Sequence, residues 1–411
     1  MVKVAVLGHG TVGSGVVELF TKNAKSITSR AGQEMEVKKI LDIREFPDLP
    51  YADKFTKDFN DILNDPEISI VAEVMGGLSP AFEFTKALLE SGKSVVTSNK
   101  ELVAAKGAEL LAIAKEHNVN YFFEASVGGG IPIIRPMHQC LAANEIIEVA
   151  GILNGTTNYI LTKMFHESVP FDEALSEAQR LGYAERNPAA DIEGHDACRK
   201  ICILSSLAFG SHVYPQTVHT EGITKLTLAD VEYAASWGGV IKLIGRAKKQ
   251  PDGKIIAAVY PAFLSSHSQL ANIDDVFNGI LIRGNATGDV VFYGRGAGKL
   301  PTASAVVADM IDISKSNCTS KSLTWKDSNA DNVADYKSEA LSFFICADLA
   351  EGAQKTVSDV FGEVEMLSRA GQPEGEIAFV TPAMSEYELE EKLGVLSNLM
   401  KVKSMIRVLD Y

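Results

Sequence analysis

The stretch GYAERNPAADIEGHDACRK, Gly182 to Lys200, concentrates side chains that hold charge and move protons. Glu185 and Asp191 lie in its turn-rich first half, and two carboxylates there suit a positive group such as a substrate ammonium. From about Gly194 the spacing predicts a helix, on which Asp196, Lys200, Ile203 and Leu207 fall on one stripe. The lower part of that stripe is apolar, so Asp196 and Lys200 are expected at the end of a buried face. An Asp–Lys pair four residues apart is more often a surface ion pair, worth roughly a few tenths of a kcal/mol. At the dry edge of a cleft, however, an ammonium titrates closer to neutrality and transfers protons. His195 points off the stripe and is left outside the site.

A second group of residues suits a dinucleotide. VAVLGHGTVGSG carries G-x-G-x-x-G at Gly8, Gly10 and Gly13, after a strand and at the opening of a helix. Gly8 permits the tight turn, Gly10 lets the backbone approach a pyrophosphate, and Gly13 lets the helix pack on the strand. The helix N-terminus, with Thr11 and Val12, offers N–H groups to the phosphates. Gly76, in the glycine pair that ends the third strand, is counted with the cofactor positions. The second strand ends in LDIRE. Asp42 suits the ribose hydroxyls of NAD, and Arg44 suits the 2′-phosphate of NADP. Both also read as solvated surface. The balance leans slightly to NADP being accepted, together with NAD. A nicotinamide domain, a lysine for the proton and carboxylates for an ammonium together point to oxidation of an amino-acid alcohol.

The elements that position these groups fall into an α/β pattern. Strands at Val2–Gly8, Val37–Ile43, Ile68–Gly77 and Ser94–Lys100, and one within VNYFFEASVGGG, alternate with helices. That rhythm predicts a Rossmann-type, doubly wound parallel sheet over residues 1–130, completed by about 296–315. An α+β domain is expected over 131–315, with helices around Pro132–Ala142 and Phe171–Leu181. Polar, turn-rich residues 316–338 read as a linker. Residues 339–411 read as a small ferredoxin-like βαββαβ module.

At 411 residues, two or three domains are the expectation. The net charge is −14 with no basic block, which argues against nucleic acid or an anionic membrane as partner. No apolar run is long enough to span a bilayer, and no signal peptide opens the chain. The five cysteines, Cys140, Cys198, Cys202, Cys318 and Cys346, show neither a disulfide framework nor a zinc pattern, which fits a reducing cytoplasm.

The Gly182–Lys200 stretch closely resembles the G-Y-x-E-x-x-P-x-x-D-x-x-G-x-D-x-x-x-K signature of homoserine dehydrogenases. TSNKELVA (Thr97–Ala104), FEASVGGGIPII (Phe123–Ile134) and GILNGTTNYIL (Gly151–Leu161) agree in order, so the resemblance covers about residues 1–315. It implies interconversion of L-homoserine and L-aspartate 4-semialdehyde with NAD or NADP, in threonine, methionine and isoleucine biosynthesis. By position, Lys200 resembles the acid/base that exchanges the hydroxyl proton, and Lys100 a second lysine between nicotinamide and substrate. Glu185 would hold the substrate ammonium, while Asp191 and Asp196 complete the polar pocket. Tyr183 and the turn Gly155–Thr156–Thr157 would line it. The resemblance also implies a monovalent cation, usually sodium in that family, on backbone carbonyls of Glu124, Val127, Gly129 and Ile131. Gly296 and Gly298 would allow the returning segment to approach the cofactor. A homodimer is implied.

The C-terminal module resembles an ACT regulatory domain less closely: its turn DLAEG (Asp348–Gly352) is one residue longer than the usual D-x-x-G. An amino-acid effector, or a tail used only for assembly up to a homotetramer, both remain open. Two other readings compete. Aspartate-semialdehyde dehydrogenase needs a reactive thiolate, and Cys140, Cys198 and Cys202 lack its context. A nucleotide-sensing regulatory protein would not need the lysines and carboxylates that are present. Fusion to an aspartate kinase is not expected, since residue 1 already opens the cofactor strand.

Overall fold

The computed structural model describes residues 1–315, 323–350 and 354–411. Cys318, the 316–322 part of the expected linker and Gly352 of the DLAEG turn lie outside the described residues. The chain forms two compact units. The first comprises Met1–Ile147, Cys202–Thr217 and Arg283–Asn332, and the second Glu148–Ile201, Val218–Ile282 and Val333–Tyr411. These units do not follow the sequence boundaries, because the chain crosses from one to the other inside the strand Ile146–Ile152 and the helix His195–Phe209.

The first unit is built on β1 (Val2–Leu7), α1 (Thr11–Lys22), α2 (Ala24–Ala31), β2 (Met35–Leu41), β3 (Phe55–Thr56), α3 (Asn60–Leu63), β4 (Ile68–Glu73), α4 (Ala81–Glu90), β5 (Ser94–Thr97), α5 (Lys100–Glu116) and β6 (Tyr121–Phe122). Its six strands run in the order β3-β2-β1-β4-β5-β6, and every pairing is parallel. Val4, Val6, Ile70, Ala72 and Val96 from the central strands are almost wholly buried, as expected of a sheet covered on both faces. The strand order reverses between β1 and β4, which opens a crevice beyond their C-terminal ends.

The second unit begins with β7 (Ile146–Ile152), α6 (Gly155–Glu167), α7 (Phe171–Arg180), α8 (Ala189–Ile192) and α9 (His195–Phe209). It continues with β8 (His219–Thr220), α10 (Leu228–Ser236), β9 (Gly239–Lys249), β10 (Ile255–Ser265) and β11 (Phe277–Gly284). The chain then forms β12 (Gly288–Arg295) and α11 (Lys299–Lys315) in the first unit, where Ala303 of α11 lies under Gly15 of α1. The helix expected around Pro132–Ala142 is present but short: residues 134–140 are helical, closing in the π-helical turn Pro136–Cys140, and Pro136 is tolerated because it stands in the first turn, where an N–H has no acceptor to lose.

The C-terminal residues supply β13 (Ser342–Leu349), α12 (Gln354–Phe361), β14 (Glu365–Leu367), β15 (Glu376–Val380), α13 (Glu386–Val395) and β16 (Met400–Leu409). Their element order is βαββαβ, with strands in the order β16-β13-β15-β14 and every pairing antiparallel. This sheet is not separate. β16 pairs in parallel with β10 through Ala262 and Arg407, making one mixed sheet with β9, β7 and β11. A buried ion cluster seals the join: Arg246 on β9 bonds Glu148 on β7 and Glu339, and the Tyr411 hydroxyl donates to Glu148 at 3.1 Å.

Within the described part of the expected linker, Trp325 packs into the first unit. Trp325 is 5% exposed, its indole N–H donates to Nδ1 of His212 at 2.8 Å, and its ring sits where a Cβ on Gly107 of α5 would be. Val333 bridges to Ile255 on β10. We predict that Trp325→Ala lowers unfolding stability by about 3–5 kcal/mol, read from urea denaturation. A free linker would show almost no change.

Candidate active site

In the first unit, the glycine turn follows β1 as closely as its sequence pattern demands. Gly8 has φ +95°, and a Cβ there would meet Met75 at 3.1 Å; a Cβ on Gly13 would lie 1.9 Å from the Gly8 carbonyl oxygen. Neither position admits another residue without moving the backbone. Gly10 has open space before it. Beside the turn is a cleft of about 440 Å³ bounded by Gly8, Gly10, Asp42, Arg44, Met75 and Phe84. Thr11 is exposed and Val12 half-buried at the start of α1, and Gly76 is exposed with φ +83° just beyond β4. The open glycine turn, the helix N-terminus and the cleft fit a dinucleotide.

Asp42 is buried at the end of β2. One oxygen accepts the backbone N–H of His9 at 2.7 Å, and both oxygens take the Arg44 guanidinium, at 2.8 and 3.0 Å. Those bonds hold its carboxyl well below the usual range. Asp42 thus braces the glycine turn as well as facing the cleft, while the Arg44 side chain is 57% exposed. Lys57 also lines the cleft. Sequence reading missed it because it lies 13 residues beyond Arg44, outside any motif.

Lys100 begins α5 and is half-buried. Asn99 caps that helix, accepting from Leu102 N–H at 3.1 Å. The segment 124–131 curls tightly in the core: Ile131 N–H donates to the Gly128 carbonyl, and a Cβ on Gly128 would lie 2.4 Å from the Ile131 carbonyl oxygen. Such a cradle of buried backbone suits carbonyl ligation of a cation. The Glu124 side chain is engaged elsewhere, accepting backbone N–H groups of Ile133, Ile134 and Arg135 at 2.6–2.8 Å. Val127 and Gly129 are buried, and Gly129 packs against Gly296. Burial and the Glu124 charge push the neighbouring Asp309 up to about 8. Gly298 is exposed with φ +122° at the start of α11. Among the described residues, no group of three or more His, Cys, Asp or Glu side chains could hold a metal ion.

In the second unit, Lys200 and Asp196 form one buried knot on α9. The Lys200 ammonium donates to Asp196 Oδ2 and to the Leu153 carbonyl, both at 2.7 Å, and the side chains are 8% and 5% exposed. The pair is therefore no surface bridge. Asn154 organises the rest. Its amide nitrogen donates to Asp191 Oδ1 at 2.7 Å and Asp196 Oδ2 at 2.9 Å, and its oxygen accepts the Thr157 N–H, capping α6. Gly155 packs so closely that a Cβ would meet the Val276 carbonyl at 2.6 Å. Thr156 is buried and donates its hydroxyl to the Tyr183 carbonyl at 2.6 Å. Tyr183 is 42% exposed and stands edge-on to Tyr159. Glu185 is exposed, outside this knot, while Asp191 is half-buried within it. Sequence reading missed Asn154, although an Asn immediately before a helix start is a recognisable cap.

Two family models match the chain. One described as homoserine dehydrogenase spans residues 132–311, and one described as the homoserine dehydrogenase NAD binding domain spans residues 8–124. The chain belongs to the homoserine dehydrogenases. It is 37% identical to the homoserine dehydrogenase of Bacillus subtilis, over 99% of this chain and 98% of that one. A crystal structure of a homoserine dehydrogenase from Thiobacillus denitrificans superposes with a TM-score of 0.88 at 35% identity, covering 100% of this chain and 98% of the other. A hyperthermophilic archaeal homoserine dehydrogenase mutant in complex with NADPH matches 76% of this chain and 97% of its own, with a TM-score of 0.65 and 30% identity. As a homoserine dehydrogenase, the chain is an oxidoreductase that interconverts L-homoserine and L-aspartate 4-semialdehyde in amino-acid biosynthesis. The aspartate-semialdehyde dehydrogenase and sensor readings fall away. Cys198, Cys202 and Cys346 are buried, and among the described residues no helix is long and apolar enough to cross a membrane.

Asn154→Ala is expected to remove a helix cap, costing about 1–2 kcal/mol, and to strip a shared donor from Asp191 and Asp196. Thermal unfolding should fall by several degrees and kcat/KM for L-homoserine by at least tenfold. Asn154→Asp, which sets a third carboxylate against two, should be worse on both measures.

Proposed function

We propose that Lys200 is the acid/base of the homoserine dehydrogenase reaction. The observation that carries this is the buried ammonium held at 2.7 Å by both Asp196 and the Leu153 carbonyl. Asp196 and Leu153 orient the nitrogen, and Asn154 orients Asp196. In semialdehyde reduction the ammonium gives a proton to the carbonyl oxygen as it becomes a hydroxyl; in homoserine oxidation the amine takes that proton back. The nicotinamide, when bound, supplies or accepts the hydride. Lys100, at the N-terminus of α5, is assigned as the second lysine between nicotinamide and substrate. Glu185 and Asp191 receive the substrate ammonium, and Gly155, Thr156 and Tyr183 shape the pocket wall.

NADP is the proposed coenzyme, with NAD also accepted. Arg44 is the group for a 2′-phosphate, and the NADPH complex of the archaeal relative supports that choice. The buried, ionised Asp42 works the other way, since it repels a phosphate and suits free ribose hydroxyls. Sodium on the carbonyls of Glu124, Val127, Gly129 and Ile131 is proposed to stiffen the 124–131 curl. The C-terminal βαββαβ element order supports an ACT-like module, which would serve effector binding or assembly. A homodimer, extended to a tetramer by that module, in the cytoplasm, completes the reading.

Initial rates of L-homoserine oxidation with NAD+ and NADP+ test it. Lys200→Ala should lose 10²–10⁴-fold in kcat, roughly what a proton-transfer group contributes, while retaining coenzyme affinity. Arg44→Ala should raise the KM for NADP+ by about tenfold, since a charge-assisted phosphate contact contributes roughly that much, and leave NAD+ within threefold. A Lys200→Ala enzyme with full turnover would remove the assignment.

A further inference from the structure

Glu73 is the last residue of β4, on a central strand of the parallel sheet, and it is fully buried. Its register partners are Leu7 on β1 and Thr97 on β5, so it lies directly below the glycine turn and directly beside the lead into Lys100. Its two oxygens serve different segments. One accepts the Met75 N–H at 2.9 Å, and the other accepts the Thr97 hydroxyl at 2.7 Å. Thr97 passes the contact on, because its hydroxyl oxygen accepts the Asn99 N–H at 2.9 Å. Asn99 then donates its amide to the Gly77 carbonyl at 2.7 Å and caps α5 at Leu102. The circuit therefore closes: the turn after β4 and the turn after β5 are tied at Glu73 and again at Asn99. Val74 and Met75 of the first turn line the dinucleotide cleft, and Lys100 follows the second.

A buried carboxylate costs free energy unless its bonds do something that an apolar side chain cannot. Burial pushes the Glu73 carboxyl above the ordinary range, while hydrogen bonds from Thr97, Met75, Asn99 and Gly76 pull it down. A leucine would fill the same space between Leu7 and Thr97 without desolvating a charge. What it would not do is fix the Met75 N–H and the Thr97 hydroxyl in place.

We propose that Glu73, acting through Thr97, is a positioning residue for the dehydrogenase reaction. It holds the Val74–Gly77 turn and the Thr97–Lys100 turn in one register, so that the nicotinamide end of the coenzyme and Lys100 meet a preset surface. The part concerning Lys100 rests on the role assigned to that lysine above; the part concerning coenzyme does not.

The test uses the full-length enzyme and four variants, with NADPH affinity from fluorescence titration and initial rates of L-homoserine oxidation. Glu73→Gln keeps the shape, but with its oxygen on the Met75 N–H its amide must reverse the bond to Thr97, donating to the second lone pair of that hydroxyl and turning the hydroxyl proton away. Thr97→Val keeps the shape but loses the hydroxyl, and it reports even if Glu73→Gln does not fold. Both should weaken NADPH binding at least fivefold and lower kcat at least tenfold, with the KM for L-homoserine within twofold of wild type. Thr97→Ser restores the hydroxyl and should recover at least fivefold of the Thr97→Val loss on both measures. NADPH affinity and kcat within twofold of wild type in Thr97→Val, whatever its melting temperature, would overturn the proposal. So would a Thr97→Ser variant as poor as Thr97→Val, since packing alone would then explain the loss. Lys100→Ala separates the two readings: if it turns over normally, the role of Lys100 fails while the coenzyme measurements still judge Glu73.

Discussion

The packing of the second unit around Lys200 depends on one primary amide. Asn154 has two donors and one acceptor oxygen, and the structure uses all of them: the donors reach Asp191 and Asp196, and the oxygen caps α6. That orientation cannot be reversed, because an oxygen turned toward two carboxylates would meet only repulsion. The residue before it lends its carbonyl to Lys200. The end of β7 thus sets the start of α6, the carboxylates of α8 and α9, and the ammonium of α9 within two residues of chain. Buried polar networks of this kind are favourable only when every member is satisfied.

The first unit solves a parallel problem with backbone rather than side chains. Its glycine turn has no room for a Cβ at Gly13, so α1 seats directly on the end of β1. The turn is then braced from β2 by Asp42 through the His9 N–H. A carboxylate in that position has two duties, and the bidentate bond to Arg44 links them. A ribose placed there, as proposed above, would compete with that bond.

The C-terminal strands show how an element order can be kept while its independence is lost. β13 to β16 have the βαββαβ order, yet β16 also extends the sheet of the second unit through β10. Pairing satisfies backbone groups that a free edge would leave exposed. Arg246 on β9, paired with Glu148 on β7, also pairs with Glu339 just ahead of β13, and that second bond breaks if the C-terminal strands separate. Phe344 on β13 also stacks on Phe263 of β10, with ring centroids 4.5 Å apart.

By itself, the sequence determined the class of the fold and the chemistry. Alternating strands and helices specify a parallel sheet because buried strands must be apolar on both faces. The glycine spacing specifies the turn because only glycine fits, and the stripe Asp196–Lys200–Ile203 sets the pair at the end of an apolar face because helical periodicity puts all three on one side. Local rules of that kind act within a few residues and are legible without coordinates. Only the tertiary structure decided the rest. Glu73 and Thr97 are 24 residues apart in the chain and meet solely because β4 and β5 pair in that register. Trp325 reads as part of a polar linker until Gly107 and His212 give its ring and its N–H a place. Glu185 shares a motif with Asp191, yet one is exposed and the other is bound to Asn154. Spacing fixes neighbours along a helix or strand; which distant groups become partners depends on how elements pack, and that is a property of the whole chain.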